Sequence, residues 1–146
     1  MLHVVDKQTP FQNAIFIKDK SPEGLWKAFT EFWYTVYMGL RNVTKVDPEA
    51  SFNNEKFSSI CDVYCITLQF SGIESHNSIA KVERYHAPLR QIYQLLTTNN
   101  SNISKEIALR YSIKGINDTE NIDGLVPSLL VFLRGPLASS IKQESM

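Results

Sequence analysis

The chain has 146 residues, 43% of them hydrophobic and 21% charged, and its fifteen basic side chains balance fifteen acidic ones. That is about one domain with a core of ordinary size, and the even balance excludes a global electrostatic pull toward nucleic acid or an anionic membrane, so any such contact has to come from a local patch. No apolar run approaches the roughly 18 residues that span a bilayer, and no basic n-region precedes a long apolar stretch, so we expect an intracellular protein with no membrane partner.

In chain order, "MLHVVD" and "NAIFIKD" are apolar runs with β-branched residues, and the Thr9-Pro10 pair between them marks a turn, which predicts a hairpin. Ser21, Pro22 and Glu23 then supply N-cap, first-position proline and first-turn acid for a helix. Its stripe of Leu25, Trp26, Phe29, Phe32, Trp33, Val36 and Tyr37 is at core spacing, and Gly39 is placed to end it. A strand "RNVTKVD", a loop "PEASFNN" and a helix from about Asn54 to Val63 follow. The strand "YCITLQF" leads through "SGIESHN" into a helix starting near Ser78, in which Pro88 is expected to cause a kink or a new segment. After the polar "TTNNSNIS", residues 104–114 read as a helix, "GLVPSLLVF" as a short apolar segment that must pack, and "ASSIKQESM" as a polar tail. This order is that of an α/β fold, a sheet flanked by helices.

Cys61 and Cys65, four apart, would share one helical face. Two thiols do not make a structural zinc site, and adding His76 and His86 matches no zinc spacing, so both cysteines are read as buried and structural. The N-x-S/T triplets at Asn42, Asn99, Asn102 and Asn117 are read as chance.

Two carboxylates stand out by context. Asp47 ends the strand "NVTKVD", Glu83 lies in the first turns of the helix after "SGIESHN", and 35 residues separate them. An Asp at a strand end and a Glu on a nearby helix can converge, and converging carboxylates repel unless a divalent cation sits between them. Magnesium, with its hard octahedral shell, takes one or two carboxylates plus water and phosphate. Around Glu83 lie Lys81, Arg84, His86 and Arg90. They make either a salt-bridge ladder on the solvated side of a helix whose apolar side is Ile79, Val82, Leu89, Ile92, Tyr93 and Leu96, or a phosphate-binding patch.

In these residues the chain resembles a known family. "VDPEASF" is similar to the D-x-G-x-x-F turn of retroviral and retrotransposon integrases, and "SHNSIAKVERYHAPLRQIY" to their glycine-x-x-E helix, at the spacing of the D,D(35)E signature. "LHVVDKQTPFQNAIFI" resembles the second and third strands of that catalytic core. "NDTENIDGLVPSLLVF" resembles the segment after the core in fungal long-terminal-repeat retrotransposon polyproteins.

The resemblance implies an RNase H-like mixed sheet flanked by helices, lacking the first strand, with a C-terminal helical extension. Residues 1–98 would be a partial catalytic core, 99–135 the extension and 136–146 the tail. It further implies DNA integration by polynucleotidyl transfer with Mg2+ or Mn2+, and Asp47 and Glu83 as the second and third metal-binding acids. DNA or RNA would bind Lys81, Arg84 and Arg90, the chain could form a homo-oligomer, and it would act in the nucleus.

The sequence departs from the family pattern at three points. The family's first acid has no counterpart, since Asp6 matches the end of the second strand and is better read as a turn cap. The family glycines after the second acid and before the third are Glu49 and Ala80. We therefore expect a truncated core, inactive alone. A non-catalytic remnant that only binds nucleic acid or protein is the alternative. A further one, an unrelated α/β interaction module, predicts an exposed apolar patch at Trp26, Phe29 and Trp33.

Overall fold

The computed structural model describes residues 1–6, 8–35, 43–46, 54–70 and 76–133, without the side chains of residues 34, 43–46, 69–70 and 76–82. Strands β1 (Leu2–Val5) and β2 (Gln12–Ile15) pair as a two-stranded sheet. So short a connection allows only antiparallel pairing. Helix α1 (Pro22–Phe29) runs on as a π-helical turn, Thr30–Tyr34. Then come β3 (Val43–Val46), α2 (Glu55–Val63), β4 (Thr67–Phe70), α3 (His76–Asn99), α4 (Lys105–Asn117) and α5 (Pro127–Phe132). The chain forms two compact units, one of residues Met1–Leu2 and Ile15–Ala87, the other of His3–Ala14 and Pro88–Met146.

In the first unit, β3 and β4 are parallel, with Val43 opposite Thr67 and Val46 opposite Phe70. A parallel pair needs a crossover, and α2 lies within it. Its N-cap is Asn54, whose side chain accepts from the Lys56 N–H at 2.8 Å. Buried Leu25 of α1 meets Phe57 and Cys61 of α2 and Ile66, with Ile17, Trp26 and Leu68 packed around them. A larger residue at Gly24 in α1 would displace the Asp19 side chain, because an added Cβ would lie 2.5 Å from its carboxyl group. That carboxyl group accepts from the Ser21 N–H and hydroxyl, which hold it below the usual Asp range.

Helix α2 ends in a Schellman motif. The Ile66 N–H reaches the Cys61 carbonyl at 2.9 Å, the Cys65 N–H reaches that of Asp62 at 3.0 Å, and Cys65 takes the left-handed conformation at φ 57°. Two expectations are corrected here. The strand read from Tyr64 begins only at Thr67, because Tyr64 and Cys65 form the turn. Cys65, lifted out by that turn, is exposed rather than buried, and only Cys61 is in the core. The aromatic module reading fails as well: Trp33 is buried, Trp26 and Phe29 are half-buried, and Trp26 stacks on Tyr64 at 4.7 Å.

In the second unit, Ala14 of β2 shares a core with Leu89 of α3 and Leu109 and Ile113 of α4. The hairpin is docked by a side chain that imitates a strand. Asn117 Oδ1 accepts the Gln12 N–H at 3.0 Å, and Asn117 Nδ2 donates to the Gln12 carbonyl at 2.7 Å. Asn117 is therefore a buried clamp, not a surface acceptor. Helix α4 opens at Ser104, whose hydroxyl accepts from the Ile107 N–H, and extends three residues beyond the expected 114. The apolar segment before the tail forms α5, whose Phe132 meets Phe11 edge-on at 5.8 Å. Asp118 at the end of α4 accepts from Lys114 and Ser128, which hold its carboxyl group below the usual range.

Helix α3 starts two residues before Ser78 and runs without a break through Pro88. The expected C-cap Gly39, the loops 47–53 and 71–75, and the tail lie outside the described residues.

Candidate functional site

The site predicted from sequence rests on the parallel pair. Because Val46 is opposite Phe70, both strands run out at the same edge of their sheet. In open α/β sheets that C-terminal edge is where ligands gather. The chain leaves β3 at Asp47, which itself lies outside the described residues, as does Glu49. From β4, five undescribed residues lead to His76, the first residue of α3. Glu83 comes two turns later, about 10 Å along the helix axis. Glu83 therefore follows, two turns into α3, the strand whose C-terminal end lies beside that of β3.

Glu83 and Arg84 are exposed in the first unit, and Arg90 is exposed beyond Pro88 in the second. None of the three forms an ion pair among the described residues. Lys81 and Ala80 lie on α3, with side chains outside the description. Along the same helix Leu89 is buried and Ile92, Tyr93 and Leu96 are half-buried, the inner face that their spacing predicts.

Asp6 is committed elsewhere. Its Oδ2 accepts from the Thr9 N–H at 2.8 Å and the Thr9 hydroxyl at 2.7 Å, and the residue is 6% exposed. This is the turn cap expected of it. Among the described residues, no three His, Cys, Asp or Glu side chains gather as a metal cluster. Burial, and then the neighbouring Asp62, pushes the Cys61 thiol up to about 11, so it stays protonated at neutral pH and is a poor nucleophile.

One surface was not foreseen. Gln91, Gln94, Leu95, Thr98 and Asn99 line a shallow open groove on the outer side of α3. Only their helical spacing could have marked it, since no charge or motif sets them apart.

No family model matches the chain, and no curated protein does. Solved structures do. The HTLV-2 integrase catalytic core domain in complex with magnesium, in its trimeric form, matches with a TM-score of 0.73 at 16% identity, covering 88% of this chain and 82% of that one. The catalytic core domain of BIV integrase matches at 0.71 and 16% identity, over 96% of this chain and 86% of that one. A chain of the simian T-cell lymphotropic virus intasome in complex with PP2A regulatory subunit B56 gamma matches at 0.72 and 17% identity, over 88% of this chain and 46% of that one. The chain therefore has the α/β fold of an integrase catalytic core, the RNase H-like fold that the resemblance implies.

Proposed function

We propose that this chain is an integrase-type core of the retrotransposon kind, built to hold a divalent cation and a nucleic-acid end at the C-terminal edge of β3 and β4. The observation that supports the reading is the parallel register of those strands, whose C-terminal ends lie side by side in a chain with an integrase-core fold; Asp47 follows the first in sequence, and Glu83 lies on the helix after the second. The donor chemistry fits magnesium: Glu83 is an exposed hard-oxygen donor in no ion pair among the described residues. Asp47 and Glu83 would hold the ion, Mg2+ or Mn2+. When bound, it would supply Lewis-acid stabilisation of a phosphoryl transition state. Lys81, Arg84 and Arg90 would offset phosphate charge along the nucleic acid, DNA or RNA. The HTLV-2 core is known in dimeric and trimeric forms, which supports a homo-oligomer here too. We place the action of such a protein in the nucleus.

A second reading is favoured by Asp6, whose carboxylate is spent on Thr9 and so leaves the acidic set at two. On that reading the chain is a remnant that binds nucleic acid without cutting or joining it. Magnesium titration by calorimetry separates the two. The first expects binding that Asp47→Asn and Glu83→Gln each weaken by about tenfold or more, while stability changes by less than about 0.5 kcal/mol. Absence of binding by the unaltered chain overturns it. Salt-dependent binding to duplex DNA, with a slope that falls by about 1 to 2 in Arg84→Ala/Arg90→Ala, supports either reading's nucleic-acid role.

A further inference from the structure

Pro88 stands inside α3, yet its ring fills no core: the residue is exposed. An alanine at an exposed helical position would favour the helix more. The effect of Pro88 is thus on the backbone. Proline has no N–H, so the carbonyl of Arg84, four residues back, loses its helical donor, and the ring crowds that carbonyl as well. The weakened turn runs from Arg84 to Pro88, directly after Glu83. Immediately after the proline, Leu89 is 1% exposed and packs on Ala14, Leu109 and Ile113. The chain passes from the first compact unit to the second between Ala87 and Pro88. A missing helical bond, a deep anchor and a unit boundary coincide within two residues.

We propose that Pro88 is a positioning residue: it uncouples the turn that carries Glu83 and Arg84 from the half of α3 anchored by Leu89. One helix then serves two masters. Its later half is fixed by the apolar core, while the turn beside Glu83 adjusts to what binds there with less resistance from the anchored half. Cooperativity along a helix depends on an unbroken ladder, and removing one rung lowers the cost of opening one side alone. What settles there rests on the proposed magnesium site; the uncoupling itself does not.

Native-state hydrogen exchange, resolved by residue, tests this on the whole chain. In the unaltered protein, protection should step up by about tenfold or more between the amides of 83–87 and those of 89–94. Pro88→Ala restores the N–H and should shrink the step to within about threefold, with the helix content unchanged by circular dichroism. Pro88→Gly, which restores the N–H but keeps the backbone loose, should fall between. Magnesium alone is then added. It should protect residues 83–87 only in the unaltered chain, and both halves of α3 in Pro88→Ala. No step at Pro88, or a step that survives unchanged in Pro88→Ala, overturns the proposal. If the step vanishes in Pro88→Ala while magnesium protects no amide in either protein, the uncoupling stands and the metal site falls.

Discussion

The two compact units are held by different physics. All five buried polar or charged side chains of the described residues, Asp6, Thr9, Gln12, Ser112 and Asn117, belong to the second unit. The core cluster of the first, Leu25, Phe57, Cys61 and Ile66, has no hydrogen-bonding group stronger than a thiol. Hydrogen bonds are directional, so Asn117 specifies one register for the hairpin on α4, and Asp6 one geometry for its turn. Apolar burial is not directional; it fixes α1 on α2 by shape and volume. The difference teaches where chemistry is available. In the second unit the carboxylate at the turn is consumed by structure, whereas among the described residues the core cluster of the first unit holds no carboxylate and Glu83 is open to solvent.

Breaking the polar side of this comparison should cost most. Asn117→Ala leaves the buried N–H and carbonyl of Gln12 unpaired, and each such orphan costs about 1 to 3 kcal/mol. We expect a loss of about 2 to 4 kcal/mol in urea unfolding. A loss below about 0.5 kcal/mol would mean that water replaces the amide and that the clamp is dispensable.

The apolar unit offers a smaller change of opposite sign. Cys65 holds a left-handed conformation that costs a residue with a Cβ about 1 to 2 kcal/mol, and glycine nothing. Cys65→Gly should therefore stabilise by about 1 kcal/mol, the greater freedom of the unfolded glycine offsetting part of the gain. A lower midpoint in the same unfolding experiment would contradict the Schellman assignment.

The smallest effect is confined to alkali. Cys61 is raised by burial from 9.0 to about 11 in the folded chain, so between those values the native state keeps a proton that the unfolded state releases. Stability from this group is complete below pH 9, declines as pH rises past it, and is gone above about 11. Cys61→Ala should flatten that decline, and the comparison of the two pH profiles reads it directly. In the same range Cys65, exposed, should alkylate in the native state while Cys61 does not.

Much of this was legible beforehand, for local reasons. Ser21 caps its helix as a side-chain oxygen within reach of a free N–H group must, and Asp6 caps its turn in the same way; the helix starts near Asn54 and Ser104 are legible too, and their side chains prove to be the caps. The period of Leu89, Ile92, Tyr93 and Leu96 found the inner face of α3. The misreadings are also physical. The β-branched run of "YCITLQF" hid a helix stop, because a Schellman motif usually announces itself with glycine and here does so with Cys65. Of the two outcomes read for Pro88, a kink or a new segment, the new segment does not occur, because an exposed proline within a long helix anchored by Leu89 is tolerated.

What the sequence by itself determined is short-range: the caps, the turn at Asp6, the amphipathic periods and the order of strands and helices, all set by groups within a few residues of each other. Tertiary structure alone decided that Asn117 would bond Gln12, 105 residues away, that Cys61 would be buried and Cys65 not, and that β3 and β4 would end side by side. Those outcomes depend on which distant surfaces meet, and burial, being non-directional, leaves that choice to the packing of the whole chain.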